Sequence, residues 1–116
     1  MKNKKLLVLC VSFFITSEVF ATDLSAQQGK ELTVFFGRAM GAQVEVSDIK
    51  DVPDQAGIKE MVKGGLNLNS LLCAEIVRIL PLELLGKYEV TCVAYGGGSA
   101  QKIYIVDALN GRAFEQ

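Results

Sequence analysis

The segment that decides the fold runs from Tyr88 to Asp107. It reads Tyr88-Glu-Val-Thr-Cys-Val-Ala-Tyr95, then Gly96-Gly-Gly-Ser-Ala-Gln101, then Lys102-Ile-Tyr-Ile-Val-Asp107. Two runs dense in β-branched and aromatic residues enclose a glycine-rich loop. A phosphate-binding loop needs a helix N-terminus behind it, where free N–H groups and the helix dipole both point at the anion. Here the glycines lead into a second β-forming run. No Gly-Lys-Ser/Thr is present and the dinucleotide spacing is absent. The loop therefore reads as a β-hairpin connection, in which glycine supplies positive φ. Tyr95 and Tyr104 flank it and are expected to meet across the ladder, where an aromatic pair adds roughly 0.2–1 kcal/mol. The alternative use of Tyr95, Gly97, Ser99 and Tyr104 is an exposed surface that touches a partner.

Working outward, Asn110-Gly111 is a tight-turn dipeptide and residues 112–115 form a short closing segment. Upstream, residues 74–80 allow two readings. Leu72, Ile76, Ile79 and Leu80 suit one face of a helix, whereas the β-branched Ile76, Val77 and Ile79 suit a strand that Pro81 would end. The cysteines favour the strand. A hairpin centred near Leu82-Glu83 sets Cys73 almost opposite Cys92. Facing antiparallel residues lie about 4.5–5.5 Å apart, inside the ~4.4–6.8 Å that a disulfide spans.

The N-terminal half is helical in outline. Thr22 to Lys30 is polar and reads as a loose start. Leu32, Phe35, Phe36 and Met40 share a helical face, although Thr33 to Phe36 also suits a short strand. Gln43 to Val46 alternates like a strand. Asp51-Val-Pro-Asp54 opens a helix with Asp51 as cap and Pro53 in an early position. Ile58, Met61, Val62 and Leu66 line its face, and Gly64-Gly65 is expected to end or break it.

Three lysines within the first five residues, an uncharged run from Leu6 to Thr16, and Val19-Phe-Ala21 have the layout of a secretory signal peptide cleaved between Ala21 and Thr22. The run is about half the ~20 residues that cross a bilayer, so no stable membrane insertion is expected after cleavage. Bulky Leu9 before Cys10 argues against lipid attachment. The leader removes three of 12 basic and one of 13 acidic residues, leaving net −3. No basic patch marks a nucleic-acid partner. Of three cysteines, Cys73 and Cys92 remain and have one possible pairing in an oxidising compartment. The leader points to a periplasmic or secreted protein.

Histidine is absent. That removes the usual general base, the commonest metal ligand and every His-containing triad. No serine stands in a G-x-S-x-G elbow. Asp48, Asp51 and Asp54 lack calcium-loop spacing and read as caps and solvated charges. Glu75, Glu89 and Asp107 are the carboxylates that carboxylate chemistry would need to converge on the sheet, and on a half-exposed sheet face they read as solvated charges. No catalytic residue, metal or cofactor is assigned.

The C-terminal half resembles the PepSY domain family. Tyr88-Glu-Val90, the glycine-containing turn and Tyr104-Ile-Val-Asp-Ala-Leu-Asn-Gly111 look like that family's ending, across about residues 54–116. The resemblance implies an exported α+β module that binds or restrains other proteins, sometimes peptidases, with no catalytic residues of its own. The expected architecture is α+β. Helical segments pack on one face of a three- to four-stranded antiparallel meander (74–80, 88–95, 102–107 and a short 112–115), with one disulfide. Residues 22–50 are expected as an N-terminal extension and 51–116 as the domain. The expected partner is an envelope protein or peptide. The competing function is a small carboxylate-dependent hydrolase or a subunit of an envelope secretion assembly.

Overall fold

A computed structural model describes residues 23–116; the expected leader and its expected Ala21–Thr22 cleavage junction fall outside the described residues. Two helices, α1 (Ala26–Ala39) and α2 (Gln55–Leu68), precede four strands, β1 (Glu75–Pro81), β2 (Lys87–Val93), β3 (Gln101–Asp107) and β4 (Arg112–Glu115). The strands form one antiparallel sheet in chain order. Short 3₁₀ turns lie at Val46–Asp48 and Ala108–Asn110. The fold is thus α+β, two helices on a four-stranded meander.

Residues 25–28, expected as part of a loose start, begin α1. Ser25-Ala-Gln-Gln28 is a capping box: Gln28 N–H donates to Ser25 Oγ at 3.1 Å, and Ser25 N–H donates to Gln28 Oε1 at 2.8 Å. Leu32, Val34 and Phe35 are buried, so Thr33 to Phe36 is helix rather than strand. Gln43 to Val46 forms no strand and runs into the first 3₁₀ turn.

The cap of α2 is Asp54, not Asp51. Gly57 N–H donates to Asp54 Oδ1 at 2.8 Å. Had Asp51 been the cap, Val52 would need helical φ and ψ, which the following Pro53 disfavours. Gly64 and Gly65 do not end the helix, which continues to Leu68. They lie where α1 crosses: a Cβ on Gly65 would run into the Phe35 ring, and one on Gly64 would stand 2.9 Å from Phe36 Cε1.

Both helices cover the same sheet face. Leu32, Phe35, Ile58, Val62 and Leu66 pack with Ile76, Tyr88, Val90, Cys92, Tyr104 and Val106 in one core. Residues 22–50, expected as an extension ahead of the domain, therefore include α1, which supplies Leu32 and Phe35 to that core.

The first hairpin is centred differently from the cysteine-based reading. Ile76, not Cys73, pairs with Cys92, and Pro81 pairs with Tyr88. A bulge between Ile76 and Arg78 and a loop reaching from Leu82 to Gly86 shift the register by three residues. The Cys73–Cys92 disulfide forms all the same, with the Cα atoms 5.3 Å apart, because Cys73 lies just before β1 on the covered side. Asn67 of α2 holds it there through bonds of 3.2 Å to its N–H and its carbonyl.

Candidate functional site: the uncovered sheet face

Strand alternation puts Tyr88, Val90, Cys92, Tyr104 and Val106 under the helices and the intervening residues on the other face. Two cross-strand rows run over that outer face. One is Leu80, Glu89, Ile105 and Phe114; the other is Arg78, Thr91 and Ile103. The bulged Val77 adds to them. Val77, Leu80, Ile103 and Phe114 are 46%, 37%, 39% and 51% exposed. No described element covers them. A sheet face open to water ordinarily carries polar side chains; this one carries a belt of branched and aromatic groups.

Thr91 sits at the middle of the belt and is itself buried by its neighbours. Its Oγ1 has no hydrogen-bond partner among the described residues. Arg78 and Glu89 are the charges within the two rows. Neither takes part in an ion pair or a side-chain hydrogen bond among the described residues. One end of the face is closed by a charged row in which Lys87 Nζ meets Asp107 Oδ2 at 3.1 Å and Arg112 pairs with Asp107 across the ladder. Burial pushes the Asp107 carboxyl up, but the Asn110 amide and the Lys87 ammonium outweigh it and hold it below the usual carboxylate range. Beyond that row, the β1–β2 loop exposes Leu82, Leu84 and Leu85. Its base is fixed by Leu82 N–H donating to Lys87 O at 2.9 Å and Ala108 N–H donating to Gly86 O at 2.8 Å.

The glycine loop is a hairpin connection. Ala94 N–H donates to Ala100 O at 2.9 Å, Gly98 N–H donates to Tyr95 O at 3.0 Å, and Gly97 adopts φ +77°. Tyr95, Gly97 and Ser99 lie exposed at its tip. Tyr104 does not join them. It pairs with Val90 rather than Tyr95, is 1% exposed, and its hydroxyl donates to Leu72 O at 2.6 Å. The register places Tyr95 two residues past the last paired position, Val93. The two tyrosines therefore form no cross-strand pair, and Tyr104 presents nothing to a partner.

The three sheet carboxylates singled out in the sequence, Glu75, Glu89 and Asp107, stand in three different rows. Glu75 pairs with Val93, Glu89 with Ile105 and Asp107 with Lys87. They converge on no common point. Among the described residues, no group of three or more cysteines and carboxylates is placed to hold a metal ion, and no helix is long and apolar enough to cross a membrane. A groove of about 470 Å³ between α1 and the 3₁₀ turns is lined by Val34, Arg38, Glu45, Val46, Ser47 and Leu109. Its ionic groups, Arg38 and Glu45, pair with each other at 3.8 Å.

One polar pair lies inside the core. Glu31 of α1 is 4% exposed, and its Oε1 accepts the Tyr88 hydroxyl at 2.5 Å while Gln27 Nε2 reaches Oε2 at 3.4 Å. Burial first, then the hydrogen bond to the Glu31 carboxylate and its charge, push the Tyr88 phenol far above its ordinary value. The pair bolts α1 to the sheet and is sealed from any groove ligand by the helices around it.

Fold and surface together define a disulfide-bonded, two-layer α+β domain with one sheet face that no described element covers. No family model, curated protein or solved structure matches the chain.

Proposed function

We propose that the protein is an exported, non-catalytic binding module of the cell envelope that makes contact through its uncovered sheet face. The observation that carries this reading is the belt of Val77, Leu80, Ile103 and Phe114, which stays exposed while both helices cover the opposite face. Contiguous apolar surface on a folded domain marks a contact site. The leader and the buried Cys73–Cys92 bridge support export to an oxidising compartment. The PepSY resemblance supports a module that binds or restrains other proteins, peptidases among them. The separated carboxylates give no support to a hydrolase.

The test uses the tagged full-length chain, exported in its native cell and crosslinked in the envelope. Wild type is expected to give one dominant protein adduct, and Ile103→Glu and Phe114→Glu to lose it while melting as wild type does. Both side chains are exposed, so their replacement leaves the core intact. Adducts that persist in both variants would place the contact elsewhere.

A further inference from the structure

We propose that the occupant of the uncovered sheet face is a second copy of this chain, the two faces packing about a two-fold axis. The inference rests on the reading that this face is the contact surface, and it names the partner.

The charges within the two apolar rows carry the argument. The rows hold one cation, Arg78, and one anion, Glu89, on neighbouring strands one row apart. Both lack an ion-pair partner among the described residues, whereas Lys87 and Lys102 elsewhere on the sheet are paired with Asp107 and Glu115. An apolar partner or a lipid surface laid on this face would supply no countercharge and leave the two groups only each other, across a ladder diagonal and out of water. An acidic partner would strand Glu89, and a basic one would strand Arg78. Each unpaired buried charge opposes binding strongly. In an isologous interface residue i meets j of the copy and j meets i. A face with one charge of each sign therefore neutralises itself, giving two Arg78–Glu89 pairs from a single kind of contact. Apolar groups around those charges then meet their own kind.

Size sets the strength. Three strands of seven residues and one of four, ~4.8 Å apart and rising ~3.4 Å per residue, give a face of roughly 400 Å² in plan. Standard interfaces bury about 800 Å² per partner. Side-chain relief enlarges the plan area, so the dimer belongs at the lower end and dissociates reversibly at micromolar concentrations.

Sedimentation equilibrium of the protein purified from its native cell tests this. Wild type is expected to show a reversible monomer–dimer equilibrium in the micromolar range. Arg78→Glu and Glu89→Arg each set like charges opposite one another and are expected to weaken the dimer by about tenfold or more. Mixing the two variants restores it, because in the mixed dimer every facing pair is again of opposite sign. Neither substitution removes a described hydrogen bond, and unchanged circular dichroism melts confirm folding. A wild type that stays monomeric at hundreds of micromolar, variants that dimerise like wild type, or a mixture that stays dissociated each overturns the proposal. If the wild type is monomeric and Ile103→Glu still abolishes the envelope adduct, the second copy is refuted and the contact face stands.

Discussion

At the scale of single residues, Glu31 and Tyr88 tie helix to sheet through a buried hydrogen bond. Tyr88→Phe removes the principal donor to a buried carboxylate, and a hydrogen bond to a charged group contributes about 1.5–3 kcal/mol. Chemical denaturation should show that loss; Glu31→Gln, which keeps an acceptor for the phenol, should lose less. The same pair fixes the alkaline limit. The folded-state value of Tyr88 lies above its ordinary 10.0. Above that pH the unfolded chain gives up a proton that the native state retains. Stability is therefore full below pH 10 and falls as pH rises beyond it, by up to about 1.4 kcal/mol per unit for this one group. Tyr104 is shifted the same way by burial. A plot of unfolding free energy against pH that stays flat from 9 to 11 would contradict this. The sequence concealed the pair, since an acidic residue in a helix ordinarily reads as solvated. Its spacing held the clue: Glu31 stands three and four residues before Val34 and Phe35, on the buried face.

At the scale of elements, what was legible depended on whether the signal was local. The two later strands and the closing segment follow from composition and turns. The start of α1 does not: Ser25-Ala-Gln-Gln28 carries a capping signature, but its polar composition reads as a loose start. Gly64-Gly65 misleads because propensity and packing oppose each other. In an isolated helix Gly65→Ala would gain about 1 kcal/mol. Here the new Cβ meets the Phe35 ring, and overpacking costs about 1–3 kcal/mol, so a net destabilisation is expected in a thermal melt. Gly111→Ala should be worse. Its φ is +69° and a Cβ would stand 2.5 Å from Arg38 Cβ. The first hairpin teaches the converse lesson. The right disulfide follows from a register that is three residues off, because a bulge and a loop centred at Leu84 rather than Leu82-Glu83 leave no mark in residue spacing. With its cysteines 19 positions apart in sequence, that bridge contributes roughly 3 kcal/mol in the chain-entropy model. Cys92→Ser should lower the melting temperature by roughly 15 °C; an unchanged melt would show that the bridge does not hold the hairpin to α2.

At the scale of the whole molecule, the bare face was the least legible feature. Ile103-Tyr-Ile-Val106 is apolar without alternation, the pattern of a strand covered on both sides. Only the placement of both helices on the Tyr104 side reveals that Ile103 and Ile105 face outward. The Tyr95–Gly97–Ser99 tip was legible as an exposed loop, whereas Tyr104 was assigned to it by proximity in sequence and belongs to the core. The account stands or falls on that outer face. The decisive measurement replaces Ile103, and separately Lys59 on the exposed side of α2, with a photo-crosslinking residue in the full chain and irradiates the intact native cell. The account predicts a discrete protein adduct from position 103, at twice the chain mass if the occupant is a second copy, and none from position 59. Adducts from position 59 with none from position 103 would contradict it.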